Sequence, residues 1–290
     1  MTSDNSTKNK IFNHELKLRV ISALILGIAV LAITWIGGYT FTLLWAVIAV
    51  AIYFEYVRIC RSSVPRAHAI AGYVALFLII GAWVTGNETT AYWMTLLLAV
   101  FMFVWEFVVR RSCWASVGLL YAAVPFFAMS SLRGDTELGL FLIFVLFACV
   151  WGADVFAFFF GKAIGGPKLA PRLSPKKTWA GFIGSLIGAL VVSAFICWLF
   201  GYPMNLAFLF LILVLAVISQ VGDLMESMLK RTFDVKDSGS LIPGHGGVLD
   251  RVDGLIVAGA ALWLILVALG VQYLEPNTIE NIFRNAFLMP

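Results

Sequence analysis

SMLKRTFDVKDSGSLIPGHGGVLDRVDG, residues 227–254, sets eight charged residues, a histidine and a cluster of glycines between two long apolar runs. No other stretch between two apolar runs is as polar. Crossing about 30 Å of hydrocarbon as a helix takes about 20 apolar residues. The flanking runs, 206–229 and 254–274, have that length, so the polar stretch reads as a loop joining two membrane spans.

Composition extends this reading to the whole chain. With 61% hydrophobic and 12% charged residues and a mean hydropathy of +0.95, an ordinary soluble domain is excluded, because such domains are about half apolar and about a quarter charged. Seven more apolar runs, 20–36, 39–57, 67–84, 91–109, 115–132, 137–160 and 179–201, bring the total to nine. The expected fold is an all-α, polytopic integral membrane protein of about nine transmembrane helices. It divides into an N-terminal tail (1–19), a five-span bundle (20–136), a four-span region (137–274) with polar loops 161–178 and 230–253, and a C-terminal tail (275–290). The first run is too long for a signal-peptide core and lacks a small-residue cleavage site, so it is expected to stay in the mature protein. Cys60, Cys113, Cys149 and Cys197 show neither pairing nor metal-ligand spacing and read as reduced, structural thiols.

Charge fixes an orientation. Cytoplasmic loops are enriched in Lys and Arg. With the N-terminus inside, 18 of the 20 basic residues fall on the cytoplasmic side and only Arg133 and Arg284 fall outside. The net charge of +4 is therefore a topology signal and not a mark of nucleic-acid binding. Both polar loops then face the cytoplasm and the C-terminal tail lies outside. A thiol introduced at Ser238 is expected to react from the cytoplasmic side alone.

Acidic residues converge near that side. Asp154 and Asp223 each sit about two turns inside a helix end, roughly 10 Å deep, and Asp250 and Asp253 open the last span. Carboxylates at such depth need a partner, a cation or water. Asp223, Glu226, Ser227 and Lys230 follow i, i+3, i+4, i+7 spacing and share one helical face. Taken alone, that face is equally an intrahelical Glu226–Lys230 pair beside a buried Asp, and Asp250 and Asp253 have their own plain reading as acidic residues favoured at a helix N-terminus. The surroundings favour more. Hard oxygen ligands from several helices suit a divalent cation such as Mg²⁺, which leaves positions for water and phosphate oxygens. Lys176, Lys177, Lys230, Arg231, Lys236 and Arg251 are phosphate-type partners, and PGHGGVLD gives the close backbone approach that favours anions. Glu55 with Arg58 and Glu106 with Arg110 are expected to be structural ion pairs.

Ser227, Lys230, Arg231, Lys236, Asp237, Pro243, Gly244, His245, Gly246, Gly247, Asp250, Arg251 and Asp253, with GD-x-x-ES from Gly222, LSPKKTW from Leu173, and Asp154 with Gly161-Lys162, together resemble the signature of the phosphatidate cytidylyltransferases, or CDP-diacylglycerol synthases. The likeness covers roughly 150–254, and one departure is Ala180, where many relatives carry a polar residue. The resemblance implies a membrane enzyme that joins CTP and phosphatidate to give CDP-diacylglycerol and pyrophosphate, depends on Mg²⁺ and works as a homodimer. A bacterial inner membrane is the expected location, with the active site facing the cytoplasm.

The residues fit that chemistry, in which two polyanions must be brought together and aligned. Asp223 and Asp250, with Asp154 third, are the expected ligands of one or two cations. Lys176, Lys177, Lys230, Arg231, Lys236 and Arg251 are expected at phosphates. Ser174, Thr178, Ser227, Gly246 and Gly247 are expected at phosphates or at water on the metal. His245 is a candidate proton donor to phosphate or leaving group, or else a loop-shaping hydrogen-bond partner. Glu226, Asp237 and Asp253 are expected to orient basic partners. A transporter is the leading alternative from another class, but transporters usually carry two similar halves, whereas these acids cluster in one. A scaffold would not need such deep carboxylates, and a lipid kinase or transferase using another nucleotide is the nearest chemical alternative.

Overall fold

The computed structural model describes residues 22–242, 246–269 and 287. Its elements in chain order are α1 (Ser22–Ile36), α2 (Gly38–Ile59), α3 (Arg66–Val84), α4 (Glu88–Arg110), α5 (Trp114–Arg133), α6 (Glu137–Ala163), β1 (Lys168–Ala170), β2 (Ser174–Thr178), α7 (Trp179–Phe200), α8 (Leu206–Thr232) and α9 (Leu249–Ala268). Among the described residues, the eight helices α2 to α9 are long and apolar enough to cross a membrane, while α1 falls short of that length. The two tails lie outside the described residues, Phe287 excepted.

The helices begin where side chains can satisfy the first orphan backbone donors. Asn87, Thr136, Thr178 and Asn205 accept from the N–H groups of Thr90 (3.3 Å), Gly139 (3.0 Å), Gly181 (3.1 Å) and Phe208 (2.9 Å). Pro125 lies inside α5 without ending it, as neighbouring helices allow in an apolar bundle. The helix ends at Gly134, whose φ is +43°.

Among the eight long helices, α5 and α6 are the most buried and α4 the least. Trp45, Tyr53, Tyr56, Phe126, Phe141 and Phe147 fill the core. Large apolar side chains also cover the outside, Leu206 being 81% exposed. A soluble protein rarely shows such a surface; lipid tails bury it. The most extensive helix pairing joins α6 and α7. A Cβ on Gly188 would overlap the Gly152 carbonyl and Phe156, so the absent side chain permits the close approach, which fixes the ends of the 161–178 loop.

That loop departs from an all-helical chain. β1 and β2 pair antiparallel, Lys168 opposite Thr178 and Ala170 opposite Ser174. The expected Glu106–Arg110 pair is also corrected: Glu106 is fully buried and accepts from the N–H groups of Ala115 and Ser116, both at 3.0 Å. A helix N-terminus holds a buried carboxylate better than one flexible arginine at its rim. Arg133 is likewise buried, and its guanidinium donates to the carbonyls of Thr34 (2.7 Å), Trp35, Gly134 and Thr136, tying α1 to the α5–α6 junction. All four cysteines are free thiols, three of them buried.

Candidate active site

α6, β2, α8, α9 and the C-terminal end of α2 meet at one end of the bundle. On α8, Lys230 Nζ lies 2.8 Å from Glu226 Oε2, one turn away, and 2.7 Å from Asp250 Oδ1 on α9. One turn further in, Asp223 Oδ2 is 2.6 Å from Lys177 Nζ, and the Ser227 hydroxyl reaches toward Asp223 Oδ1 at 3.5 Å. Asp223, Glu226 and Asp253 each bring a carboxylate oxygen within 4.8 Å of the others. Glu226 is 2% exposed, and its Oε1 has no hydrogen-bond partner among the described residues. An orphan buried carboxylate oxygen is costly. Beside two further carboxylates it belongs to a set of hard donors that fits a divalent cation.

Along β2, Pro175 and Lys176 are exposed, whereas Lys177 and Thr178 turn inward. Lys177 Nζ donates to the backbone carbonyl (3.5 Å) and Oε1 (3.4 Å) of Gln220 as well as pairing with Asp223. The Gln220 amide then donates from Nε2 to Asp154 Oδ1 at 3.4 Å. From α8, Gln220 thus links two charged groups on two other elements, Lys177 on β2 and Asp154 on α6. Sequence reasoning passed over it, although a lone amide three residues before Asp223 in an apolar run was a readable signal.

Asp250 has a different setting from Asp223. Its Oδ2 accepts from the Ser238 N–H (3.1 Å), the Ser238 hydroxyl (2.8 Å) and the Gly247 N–H (3.2 Å), and its Oδ1 takes Lys230. The structure brings Asp223, Glu226 and Asp253 together and turns Asp250 to the loop and to Lys230. Glu55 is the second residue the sequence did not place. It accepts from the N–H groups of Val248 (3.0 Å) and Leu249 (2.7 Å) at the start of α9, and its Oε2 lies 3.2 Å from the Ser238 hydroxyl oxygen, whose single proton is shared between Glu55 and the nearer Asp250. This corrects the expected Glu55–Arg58 pair, for the same reason as at Glu106. Ser238 is consequently buried, so it is a poor labelling position.

The family model described as the cytidylyltransferase family matches residues 17–269. The chain belongs to the cytidylyltransferase family. The chain is similar to the phosphatidate cytidylyltransferase of Brucella abortus (strain 2308), 39% identical over 275 residues covering 92% of this chain and 98% of the relative. It is similar also to those of Haemophilus influenzae, 34% identical over 279 residues (84% and 96%), and Bacillus subtilis (strain 168), 30% identical over 263 residues (87% and 98%).

The other expected site residues of this cytidylyltransferase lie around the cluster. Arg231, Lys236, Asp237 and Arg251 are exposed, and Ser174 is half-buried at the start of β2. The Thr178 hydroxyl is buried and caps α7. His245 lies outside the described residues, while Ile242 and Gly246 form a reciprocal backbone pair. Gly246 has φ +86° and its N–H goes to the Ile242 carbonyl, while the Gly247 N–H goes to Asp250. Both glycines therefore hold the loop with donors that the sequence suggested for phosphate. A Cβ on Gly247 would collide with the Ser238 hydroxyl and with both Glu55 oxygens. Gly247→Ala is expected to cost roughly 1–3 kcal/mol by overpacking and to lower turnover along with melting temperature. Wild-type melting with full turnover would contradict the packing described.

Proposed function

We propose that this chain transfers the cytidylyl group of CTP to phosphatidate, giving CDP-diacylglycerol and pyrophosphate, at the cluster formed by β2, α8 and α9. The observation that carries the reading is the Asp223–Glu226–Asp253 carboxylate group set beside Lys177 and Lys230 in a cytidylyltransferase chain whose relatives are named for that reaction. Conversion of labelled phosphatidate to CDP-diacylglycerol by the purified protein tests it directly.

In this reaction a phosphatidate oxygen attacks the α-phosphorus of CTP, and the bond from that phosphorus to the α,β-bridging oxygen breaks. Pyrophosphate leaves with the electron pair. The attacking oxygen is already ionised near neutral pH, so no strong base is needed. Asp223, Asp253 and Glu226 would hold Mg²⁺, which supplies neutralisation of phosphate charge; Asp154, held through Gln220, would complete the acidic wall or serve a second cation. Lys177 is held by Asp223 and Gln220, and Lys230 by Glu226 and Asp250. Their ammonium groups are thereby fixed beside the cluster, where fixed charge lowers the cost of bringing two polyanions together. Lys176, Arg231, Lys236 and Arg251 stand on the exposed rim, suited to steering the nucleotide and the lipid phosphate. Asp250 serves by holding Lys230 and the loop.

The reading includes nine spans, a cytoplasmic N-terminus and active site, a bacterial inner membrane and a homodimer. The apolar runs support the span count, the basic-residue distribution supports the orientation, the bacterial relatives support the membrane, and the resemblance supports the homodimer. Ser240 and Thr85 are both exposed, at opposite ends of the bundle in this reading. In a Cys113→Ser background, Ser240→Cys is expected to react with an impermeant maleimide only from the cytoplasmic side and Thr85→Cys only from outside. The reverse pattern inverts the topology.

A further inference from the structure

We propose that Glu55 is a positioning residue for the cation site, acting across the boundary between the N-terminal bundle and the α8–α9 hairpin. It sits near the C-terminal end of α2, far from the site in sequence, yet is fully buried against it. Its two oxygens take the backbone N–H groups of Val248 and Leu249, the first orphan donors of α9, where a negative charge is also favoured by the helix dipole. The start of α9 is thus pinned to α2.

From there the contacts run straight to the cluster. The Ser238 hydroxyl lies between Glu55 Oε2 (3.2 Å) and Asp250 Oδ2 (2.8 Å). Asp250 Oδ1 holds Lys230, and Lys230 holds Glu226, one of the three clustered carboxylates. Asp253 reaches the same cluster from α9, about one turn beyond the residues that Glu55 grips. Moving the α9 start therefore moves Asp253 relative to Asp223, and loosening Ser238 frees Asp250 and Lys230.

The loop is shaped around this carboxylate. A Cβ on Gly239 would strike Glu55 Oε1, and one on Gly247 would lie 2.6 Å and 2.8 Å from Glu55 Oε2 and Oε1. Two glycines wall the carboxylate, so no larger loop residue fits while Glu55 is in place. Glu106 provides an internal comparison. It is equally buried and also caps a helix start with two hydrogen bonds, but that helix is α5 and none of its hydrogen bonds leads to the cluster. A purely structural role is common to both glutamates; a role in cation binding belongs to Glu55 alone.

The proposal rests on the reading of Asp223, Glu226 and Asp253 as a divalent-cation site. Its test is a Mg²⁺ titration of the full-length protein in detergent, read without nucleotide as the rise in melting temperature and, separately, as turnover. Losing an outer support of a metal site typically costs 10- to 100-fold in affinity. Glu55→Gln is expected to raise the Mg²⁺ concentration for half effect by about that factor in both readouts, with much of the turnover recovered at saturating Mg²⁺. Glu55→Asp, which keeps the charge one methylene short, is expected to fall between Glu55→Gln and the unaltered protein. Ser238→Ala is expected to shift the midpoint in the same direction, and it decides the matter if Glu55→Gln does not fold. Glu106→Gln is expected to lower the melting temperature while leaving the Mg²⁺ midpoint where it was. An unchanged midpoint in Glu55→Gln, or in Ser238→Ala where that variant decides, overturns the proposal, as does an equal shift in Glu106→Gln. Absence of any Mg²⁺ effect on the unaltered protein overturns the cation reading and this proposal together.

Discussion

Asp253→Asn is expected to lose turnover by about 100-fold or more, the scale on which removing one preorganised electrostatic partner acts, while remaining folded. Asp253 shares a space of 4.8 Å with carboxylate oxygens of Asp223 and Glu226. Like charges that close repel, so neutralising one should not weaken the cation-free protein. Its melting temperature without Mg²⁺ is expected to equal or exceed that of the unaltered chain, and its stabilisation by Mg²⁺ to vanish. Asp223→Asn is expected to lose turnover as far, but also to lose stability, because it gives up the 2.6 Å pair with Lys177. The opposite stability signatures separate loss of a ligand from general damage. Full Mg²⁺-dependent turnover in both variants would sink the assignment of these carboxylates.

Lys230→Met is expected to remove both activity and stability. The ammonium group lies 2.8 Å from Glu226 and 2.7 Å from Asp250, whose side chains are 2% and 15% exposed. Deleting one partner of a buried pair leaves an uncompensated charge at a cost of about 3–5 kcal/mol, and here two carboxylates are left. Methionine keeps most of the stem, so lost packing contributes little. The double variant Lys230→Met with Glu226→Gln is expected to recover part of the stability through coupling between contacting groups, but none of the turnover. A Lys230→Met protein as stable and active as the parent would contradict the network described.

The spans were legible because lipid imposes a length and an apolar composition that few other structures share. The observed α2 and α5 ends, Gly38–Ile59 and Trp114–Arg133, lie within a few residues of the runs 39–57 and 115–132. The polar site was legible for the complementary reason: charges on apolar helices stand out. What stayed hidden was partner choice. Asp250 and Asp253 are three residues apart on a helix, so their directions differ by only about 60°, and spacing does not say which of them faces α8. Glu55 lies one turn from Arg58, a pattern that suggests a local pair, while its true partners are Val248 and Leu249. Only the packing of α9 against α2 reveals them. The β1–β2 hairpin is too short for alternation to announce it, and its consequence, Lys176 exposed and Lys177 turned inward, was hidden with it.

The central claim is tested most directly by pyrophosphate release from the detergent-purified protein given phosphatidate and Mg²⁺, comparing CTP with ATP, GTP and UTP and repeating each with EDTA. Release with CTP alone, abolished by EDTA, is the expected result. Pyrophosphate release that persists in EDTA, or a folded, lipid-binding protein that consumes no nucleotide, would contradict the account.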